Sequence, residues 1–338
     1  MKLCITGGGT GGHLMIAHSL VEAAVSAGHE VIFIGSTSGQ DKKYFEHNSP
    51  FSTVYFLETT GVVNQKGFGK LKALFKVFKA LLASRKILKK HKIEAVYSVG
   101  GFSAAPASFA SLSSFTPLFI HEQNAVEGKL NSLLKPFAKR FISAYDKNSP
   151  IQGYPVNESF FKSARVRKEL KTIIFLGGSQ GAKAINELAL SVACGLQTRG
   201  IKIIHQAGEN DYERVKNAYE NLGVAVELYG FTKELPLLIP HADLAVSRSG
   251  ASTLWELCAS GVPSFFIPYP HAAGDHQFYN AKFIVDNNLG WCERESEDLK
   301  EKLLSILDEK LEEKSKKLLE YAKKEVAQKM IRDVEESI

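Results

Sequence analysis

His13 closes the glycine-rich run Gly7-Gly8-Gly9-Thr10-Gly11-Gly12, which directly follows the apolar stretch from Lys2 to Thr6. A strand that enters a glycine turn and then a helix leaves unpaired backbone N–H groups and the positive end of a helix dipole pointing the same way. Such a place suits phosphate or another anion. An imidazole there can take a proton from an attacking hydroxyl or hydrogen-bond a sugar or phosphate; a histidine that merely caps or packs is the plainer alternative. The same unit recurs in the second half, where Thr172 to Leu176 enter Gly177-Gly178-Ser179-Gln180-Gly181-Ala182.

Glu256 ends a third polar run, Ser247-Arg248-Ser249-Gly250-Ala251-Ser252-Thr253-Leu254-Trp255-Glu256. Leu244 to Ser247 read as a strand, Gly250 permits the turn, and Ser252 or Thr253 can cap the next helix. Glu256 then falls within the first turn or two, able to accept hydrogen bonds from vicinal ribose hydroxyls or simply to complement the helix dipole. Gly100-Gly101-Phe102-Ser103 and His121-Glu122-Gln123-Asn124 also follow strands, where α/β sheets bind ligands, and read as loops. Each alone serves equally well to satisfy backbone groups at a strand end.

These residues must be positioned by an alternation of strands and helices. Glu30 to Ile34, Phe51 to Leu57, Ala95 to Val99, Pro117 to Ile120 and Arg140 to Ser143 read as strands, and so do Ile201 to Gln206, Val224 to Leu228, Leu244 to Ser247 and Ser264 to Ile267. Runs apolar on both faces with helical periods between them indicate parallel sheets covered on two sides. With 338 residues, the chain exceeds what one core usually covers. The prediction is an α/β protein of two doubly wound, Rossmann-like domains facing a cleft. Pro150, Gly153 and Pro155 place the boundary near Ser149 to Asn157, giving domains 1–155 and 156–317. A charged helical tail follows, whose last helix, about residues 318–338, can lie back on the first domain.

Several function classes are disfavoured. Gly7, Gly9 and Gly12 satisfy a dinucleotide spacing, but the second strand ends in Gly35-Ser36-Thr37 without the acidic residue that holds a nicotinamide ribose. Neither turn has the Gly-Lys-Ser/Thr of a P-loop. The sequence contains no Asp-x-Asp and no HExxH, and Cys4, Cys194, Cys258 and Cys292 are scattered, so no metal site, no cofactor and no disulfide framework is expected. With no long apolar run and no leader pattern, a chain kept on the cytoplasmic side is expected.

Charge is unevenly placed. From Thr59 to Ile93 there is no Asp or Glu, while Lys66, Lys70, Lys72, Lys76, Lys79, Arg85, Lys86, Lys89, Lys90 and Lys92 supply ten positive charges; since the net charge is +6, the rest of the chain sums to −4. Within this segment Leu71, Leu74, Phe75, Phe78, Leu81 and Leu82 recur at helical spacing. A basic amphipathic helix of this kind either packs on its own core or lies on an anionic bilayer. Nucleic acid is the disfavoured partner, because no recognition motif accompanies the patch.

Taken together, the runs Thr6 to His13, Ser98 to Ser103, His121 to Asn124, Leu176 to Ala182 with Asn186, His205 to Gly208, Arg248 to Glu256 and Gly274 to Asn280 resemble one family closely. It is that of the bacterial undecaprenyldiphospho-muramoylpentapeptide β-N-acetylglucosaminyltransferases, in glycosyltransferase family 28, which complete the lipid-linked disaccharide precursor of peptidoglycan. The resemblance implies a metal-independent, inverting glycosyltransferase of the B type at the cytoplasmic face of the bacterial plasma (inner) membrane. The second domain would hold UDP-N-acetylglucosamine and the first the lipid-linked muramoyl-pentapeptide, whose C4 hydroxyl would attack the anomeric carbon and release UDP.

By the same resemblance Ser179 and the turn at Gly250 and Ala251 would meet the diphosphate, with Ser252, Thr253, Leu254 and Trp255 alongside. Glu256 would take the ribose, Gln277 and Asn280 would lie near the sugar, and the uracil would meet backbone near Phe231 and Thr232. Thr10, Gly11, Gly12, His13 and Asn124 would close on the donor sugar and acceptor. His13 is the first candidate general base, with Glu122 as alternative or partner. Leu74, Phe75, Phe78, Leu82, Lys72, Lys76 and Lys79 would touch the membrane. The chain departs from the family at Asn157, where an arginine is common, and at His276, where the first of two glutamines is common. Another UDP-sugar glycosyltransferase, a UDP-N-acetylglucosamine epimerase or a non-enzymatic UDP-sugar sensor would share the second-domain motifs.

Overall fold

Strands apolar along their length must be covered on both faces, and in the computed structural model they are. It describes residues 1–47, 49–61, 67–178, 181–232 and 234–338. Residues 1–156 and 325–338 form one compact unit, residues 157–324 another.

The first unit alternates β1 (Lys2–Thr6), α1 (Gly11–Ser26), β2 (Glu30–Ser36), α2 (Asp41–Phe45), β3 (Thr53–Leu57), α3 (Gly67–His91), β4 (Ala95–Ser98), α4 (Ala105–Ser113), β5 (Leu118–Glu122), α5 (Lys129–Leu134) and β6 (Arg140–Ser143). Its sheet is parallel, in the order β3-β2-β1-β4-β5-β6. Cys4, Ile5, Phe33, Ile34, Val96, Phe119 and Ile120 are fully buried in its middle.

The second unit alternates α6 (Ser159–Lys162), β7 (Thr172–Leu176), α7 (Lys183–Thr198), β8 (Lys202–Gln206), α8 (Tyr212–Leu222), β9 (Glu227–Tyr229), α9 (Leu235–Leu238), β10 (Leu244–Ser247), α10 (Ala251–Ser260), β11 (Ser264–Phe266), α11 (His276–Asp286), β12 (Trp291–Cys292), α12 (Leu299–Ile306) and α13 (Glu312–Tyr321). Its parallel sheet has the order β12-β11-β10-β7-β8-β9. The last helix, α14 (Val326–Ser337), belongs to the first unit. It buries Val326, Met330, Ile331 and Val334 and is tied down by Glu335 to His29 at 2.7 Å and Asp333 to Arg140 at 3.2 Å.

In both sheets the strand order reverses beside the strand that feeds the glycine turn: β1 has β2 on one side and β4 on the other, β7 has β8 and β10. A crevice opens at the carboxyl end of such a switch point, because the two connections leave in opposite directions. The runs Gly7–Gly12 and Gly100–Gly101 flank the first switch point; Gly177–Ala182 and Arg248–Gly250 flank the second.

Two local differences from the sequence reading have physical causes, and a third element packs in a way that reading left open. His121 and Glu122 are strand residues, because β6 pairs with them through Ile142 and Ser143. α10 begins at Ala251 with Gly250 as its cap residue, so Ser252 and Thr253 lie inside the first turn. Finally, α3 turns its small face inward: Ala73, Ala80, Ser84 and Leu88 are buried, Leu81 is half-buried, and Phe68, Leu71, Leu74, Phe75, Phe78 and Leu82 are exposed.

Arg167 locks the second unit behind its switch point. Fully buried, it donates from Nε to Ala242 O at 3.1 Å and from Nη1 to the carbonyls of Arg165 and Ser260. Burial lowers its guanidinium to about 10, and backbone oxygens take the place of the carboxylate partner usual for a buried cation. It thus ties the approach to β10 to the end of α10, the two elements that frame Arg248 to Glu256.

Candidate functional site

His13 lies in the first turn of α1, and both ring nitrogens are engaged. Thr10 Oγ1 is 2.8 Å from Nδ1, and the side-chain nitrogen of Gln123 is 2.9 Å from Nε2. An amide nitrogen only donates, so at its shorter contact Nε2 accepts from Gln123, whose nitrogen also lies 3.3 Å from Nδ1, while in the neutral ring Nδ1–H donates to Thr10. That tautomer carries its basic lone pair on Nε2. Gly100, at φ +87°, lies against it: a Cβ there would sit 3.3 Å from Nε2 and 3.1 Å from Asn131 Nδ2. Position 100 is therefore closed to a side chain both by backbone conformation and by space.

Glu122 is buried, and its carboxylate is saturated. It accepts from Asn124 N at 3.0 Å, Gly128 N at 2.9 Å and Asn131 Nδ2 at 2.8 Å, while burial raises its affinity for a proton. Those bonds fix the loop that carries Gln123 to His13. The neighbouring His121 is fully buried, its ring edge-on to Tyr154 with centroids 5.5 Å apart. Burial, reinforced by the charge of His13, depresses it to about 3, so it stays neutral.

In the second unit the turn after β7 is squeezed against β8. Gly177 N donates to Gln206 O at 2.8 Å, and a Cβ on Gly181, at φ +81°, would lie 2.7 Å from Ala207 O. Behind the turn, Asn186 Nδ2 donates to Ala207 O at 3.0 Å, and its Oδ1 meets His205 Nε2 at 3.0 Å; His205 Nδ1 reaches Tyr219 OH at 3.0 Å. Ser179 lies outside the described residues. A cavity of about 340 Å³ opens here, lined by Gly177, Gly181, Ala182 and Lys183 on one side and by Arg248, Tyr269 and Gln277 on the other. Arg248 is held in place by Glu295 at 2.6 Å and by the carbonyls of Ile267 and Pro268, and it lies over the Tyr269 ring. The N-termini of α7 and α11 and two cations, Lys183 and the Glu295-paired Arg248, thus border one space, an arrangement that suits an anion.

Of the remaining sequence candidates in this unit, Gln277 lines that cavity. Gln277 Oε1 accepts from Tyr269 N at 2.9 Å, Ser249 donates to Gln277 O at 2.8 Å, and buried Asn280 donates to Ser249 O at 3.1 Å; these bonds pin α11 to the turn before α10. Ala251, Leu254 and Trp255 have buried side chains; Ala251, at the first position of α10, has a backbone N–H with no intrahelical acceptor, whereas Leu254 N donates to Gly250 O at 3.0 Å. Ser252, Thr253 and Thr232 are half-buried, and Thr232 Oγ1 accepts from Glu234 N at 2.9 Å. Glu256, half-buried in the second turn of α10, makes no hydrogen bond or ion pair among the described residues, and burial pushes its carboxyl up to about 7. Among the described residues no cluster of three His, Cys, Asp or Glu is placed to hold a metal ion.

Gln123, Lys183 and Arg248 were not singled out from the sequence. Lys183 and Arg248 border the glycine turns in the chain, so adjacency was the available signal. For Gln123 the partner lies in a different βα unit, and no spacing reveals it.

Residues 3–143 match the family model described as the glycosyltransferase family 28 N-terminal domain, and residues 172–338 match the C-terminal domain of the same family. A protein of Sulfurimonas denitrificans is 74% identical over 334 residues, 99% of this chain and 98% of its own. One of Campylobacter jejuni is 51% identical over 334 residues, 98% of this chain and 96% of its own. Both are named UDP-N-acetylglucosamine–N-acetylmuramyl-(pentapeptide) pyrophosphoryl-undecaprenol N-acetylglucosamine transferase. The crystal structure of Acinetobacter baumannii MurG superposes with a TM-score of 0.82 at 27% identity, covering 99% of each chain. A Listeria monocytogenes structure titled putative UDP-N-acetylglucosamine 2-epimerase superposes at 0.67 with 12% identity, a likeness of fold.

If Gln123 sets the state of His13, Gln123→Glu places a carboxylate against Nε2 and stabilises the imidazolium. The pKa of His13, followed by NMR titration, is expected to rise by about one unit or more. An unmoved titration would show that Gln123 does not control the ring.

Proposed function

The chain belongs to glycosyltransferase family 28, and from that membership we infer that it transfers N-acetylglucosamine from UDP-N-acetylglucosamine to the C4 hydroxyl of undecaprenyl-diphospho-N-acetylmuramoyl-pentapeptide. The products are the lipid-linked disaccharide precursor of peptidoglycan and UDP. The observation that carries this reading is end-to-end identity of 74% to a transferase named for that reaction, across both family domains. An epimerase of the same fold is supported only by a likeness at 12% identity.

The site residues support an inverting displacement. The acceptor hydroxyl approaches His13, displaces Gln123 from Nε2 and gives up its proton to that nitrogen as its oxygen bonds to the anomeric carbon. The bond from that carbon to the diphosphate breaks, and its electron pair leaves with UDP. The N-termini of α7 and α10, with Ser179, Lys183 and Arg248, offset the charge on the departing diphosphate, a preorganised electrostatic role that needs no proton transfer. Glu256 holds the ribose hydroxyls, Gln277 and Asn280 the sugar, and the backbone near Thr232 the uracil. Thr10, Gly11, Gly12 and Asn124 line the approach to His13. Glu122, already saturated, serves to hold Asn124 and Gln123 rather than as base.

The acceptor's polyprenyl chain keeps it in a membrane, and α3 is the element suited to meet it. Hydrophobic burial ordinarily turns large apolar side chains inward, yet Leu74, Phe75, Phe78 and Leu82 face water while Lys72, Lys76 and Lys79 surround them. Phe115, 95% exposed just beyond α4, adds to the apolar surface of the same unit. An interfacial helix gains from both its apolar area and attraction to anionic lipid. No helix among the described residues is long and apolar enough to cross a membrane, and the reading is of peripheral attachment at the cytoplasmic face. Nucleic acid is not part of it.

UDP release from UDP-N-acetylglucosamine, with and without a short-chain lipid-linked muramoyl-peptide and with added chelator, tests the reaction. Release that requires the acceptor and survives chelation is expected, and release indifferent to the acceptor would sink the assignment. His13→Ala should lower turnover roughly 10²- to 10⁴-fold while UDP still binds; near-normal turnover would remove it as base.

Because the Glu256 carboxyl ionises near 7, it is largely protonated at pH 6 and charged at pH 8, and only the charged form accepts from both ribose hydroxyls. UDP affinity of the wild type, relative to Glu256→Gln at each pH, is expected to increase between those values. A ratio that stays constant would detach Glu256 from the ribose.

Replacing Lys72, Lys76 and Lys79 together by Glu removes attraction of about 1 kcal/mol per lysine and adds repulsion. Partitioning to vesicles containing anionic lipid should fall at least about 100-fold, and unchanged partitioning would reject the role of α3.

A further inference from the structure

Asp41 is fully buried, and among the described residues it has no cationic partner. It opens the short helix α2, and its carboxylate reaches back across the sheet edge to the first glycine turn. There Gly9 N–H donates to Oδ1 and Ser36 N–H donates to Oδ2 at 2.9 Å. Burial raises its proton affinity against the opposing effect of these bonds and of the Ser103 hydroxyl, so the carboxylate is held by backbone donors and one hydroxyl.

The glycines around it are placed for this side chain. A Cβ on Gly8 would lie 2.4 Å from Asp41 Oδ1, and one on Gly35 would lie 2.9 Å from Oδ2. On Gly39, at φ +84°, a Cβ would lie 2.9 Å from the Gly9 backbone, so the loop that brings Asp41 in rests directly on the turn. From the other side Gly8 N donates to Gly100 O at 3.1 Å, and a Cβ on Gly101 would come within 2.0 Å of Gly8 O. Gly8 and Gly9 are therefore clamped between the β2–α2 connection and the turn that abuts His13. The turn's own residues cannot do this, because glycine backbone has the freedom to leave any one conformation.

We propose that Asp41 is the built-in anion of the first glycine turn: its carboxylate holds Gly8 and Gly9 in the one arrangement from which α1 presents His13 to the acceptor hydroxyl. The role is one of positioning, and it rests on His13 acting in the transfer reaction. It also separates the two turns. The first has one of its N–H groups filled by an internal negative charge, which repels a second anion from that spot. In the second, no carboxylate bonds to Gly177, Gly178, Gly181 or Ala182 among the described residues: Gly177 N and Gly181 N donate to the carbonyls of Gln206 and Gly178, and Lys183 and Arg248 border the cavity beside the turn.

Asp41→Asn keeps the shape and removes the charge, but sets an NH₂ group against one of two N–H donors. At saturating donor and acceptor, kcat is expected to fall at least 30-fold, while UDP affinity, a property of the other unit, stays within twofold. Gly8→Ala should reproduce the defect by pushing the carboxylate away, and it should add less than twofold in an Asp41→Ala background, where nothing remains to collide with. A wild-type-like kcat for Asp41→Asn, or full additivity of Gly8→Ala and Asp41→Ala, would overturn the proposal. So would a loss confined to thermal stability with kcat of the folded enzyme intact. The amide proton of Gly9 supplies a readout independent of turnover: its NMR resonance should move upfield in Asp41→Asn, and an unmoved resonance would also overturn the proposal. Failure of the wild type to transfer sugar would instead count against the reaction assignment.

Discussion

Parallel pairing is the constraint on which everything else depends. Strands that run the same way deliver their following turns to one edge of the sheet, whatever the separation of those turns in the chain. In the first unit this brings the segments after β1, β2, β4 and β5 together, so that Gly9, Asp41, Gly100 and Gln123 become neighbours of one another or of His13. In the second it gathers the segments after β7, β10 and β11 around one cavity. Because each connection must cross back by way of a helix, helix N-termini arrive at the same edge, and a concentration of N–H donors follows without any side chain being needed.

The two units dispose of charge in opposite ways. The first buries carboxylates, Asp41 and Glu122, satisfies them with backbone, amide and hydroxyl donors, and holds its histidine between Thr10 and Gln123. The second brings cations to its cavity wall and leaves one carboxylate, Glu256, without a partner. Glu122 and Glu256 are the same residue type near the same edge of similar sheets, yet three donors saturate one and none reaches the other. A carboxylate already saturated is a structural element; one left half-buried and unpaired is free to receive a ligand's hydroxyls.

Much of this was legible in the sequence because it is local. Strands such as Arg140–Ser143, Thr172–Leu176 and Leu244–Ser247 appear as short apolar runs, and the glycine turns with His13 and Glu256 follow them at once. What was hidden is carried by contacts between distant segments. No motif or spacing marks Asp41, and only the pairing of β1 with β2 brings it to Gly9. His121 and Glu122 read as loop residues until β6 pairs with them. The two-residue strand β12 has no pattern of its own and exists because β11 offers it an edge. For α3 periodicity identified a helix with a large apolar face, but not that its small residues, Ala73 and Ala80, would be the ones to pack.

That inverted packing has a kinetic side. An acceptor anchored by a polyprenyl chain diffuses in two dimensions, whereas a nucleotide sugar arrives from three. On the proposed attachment through α3, the enzyme would share a thin layer with its acceptor, and the effective concentration of that substrate would be set by the membrane's surface area rather than by the volume of the cell. On that reading, each phenylalanine kept in water by this helix would shorten the search for one substrate without altering access to the other.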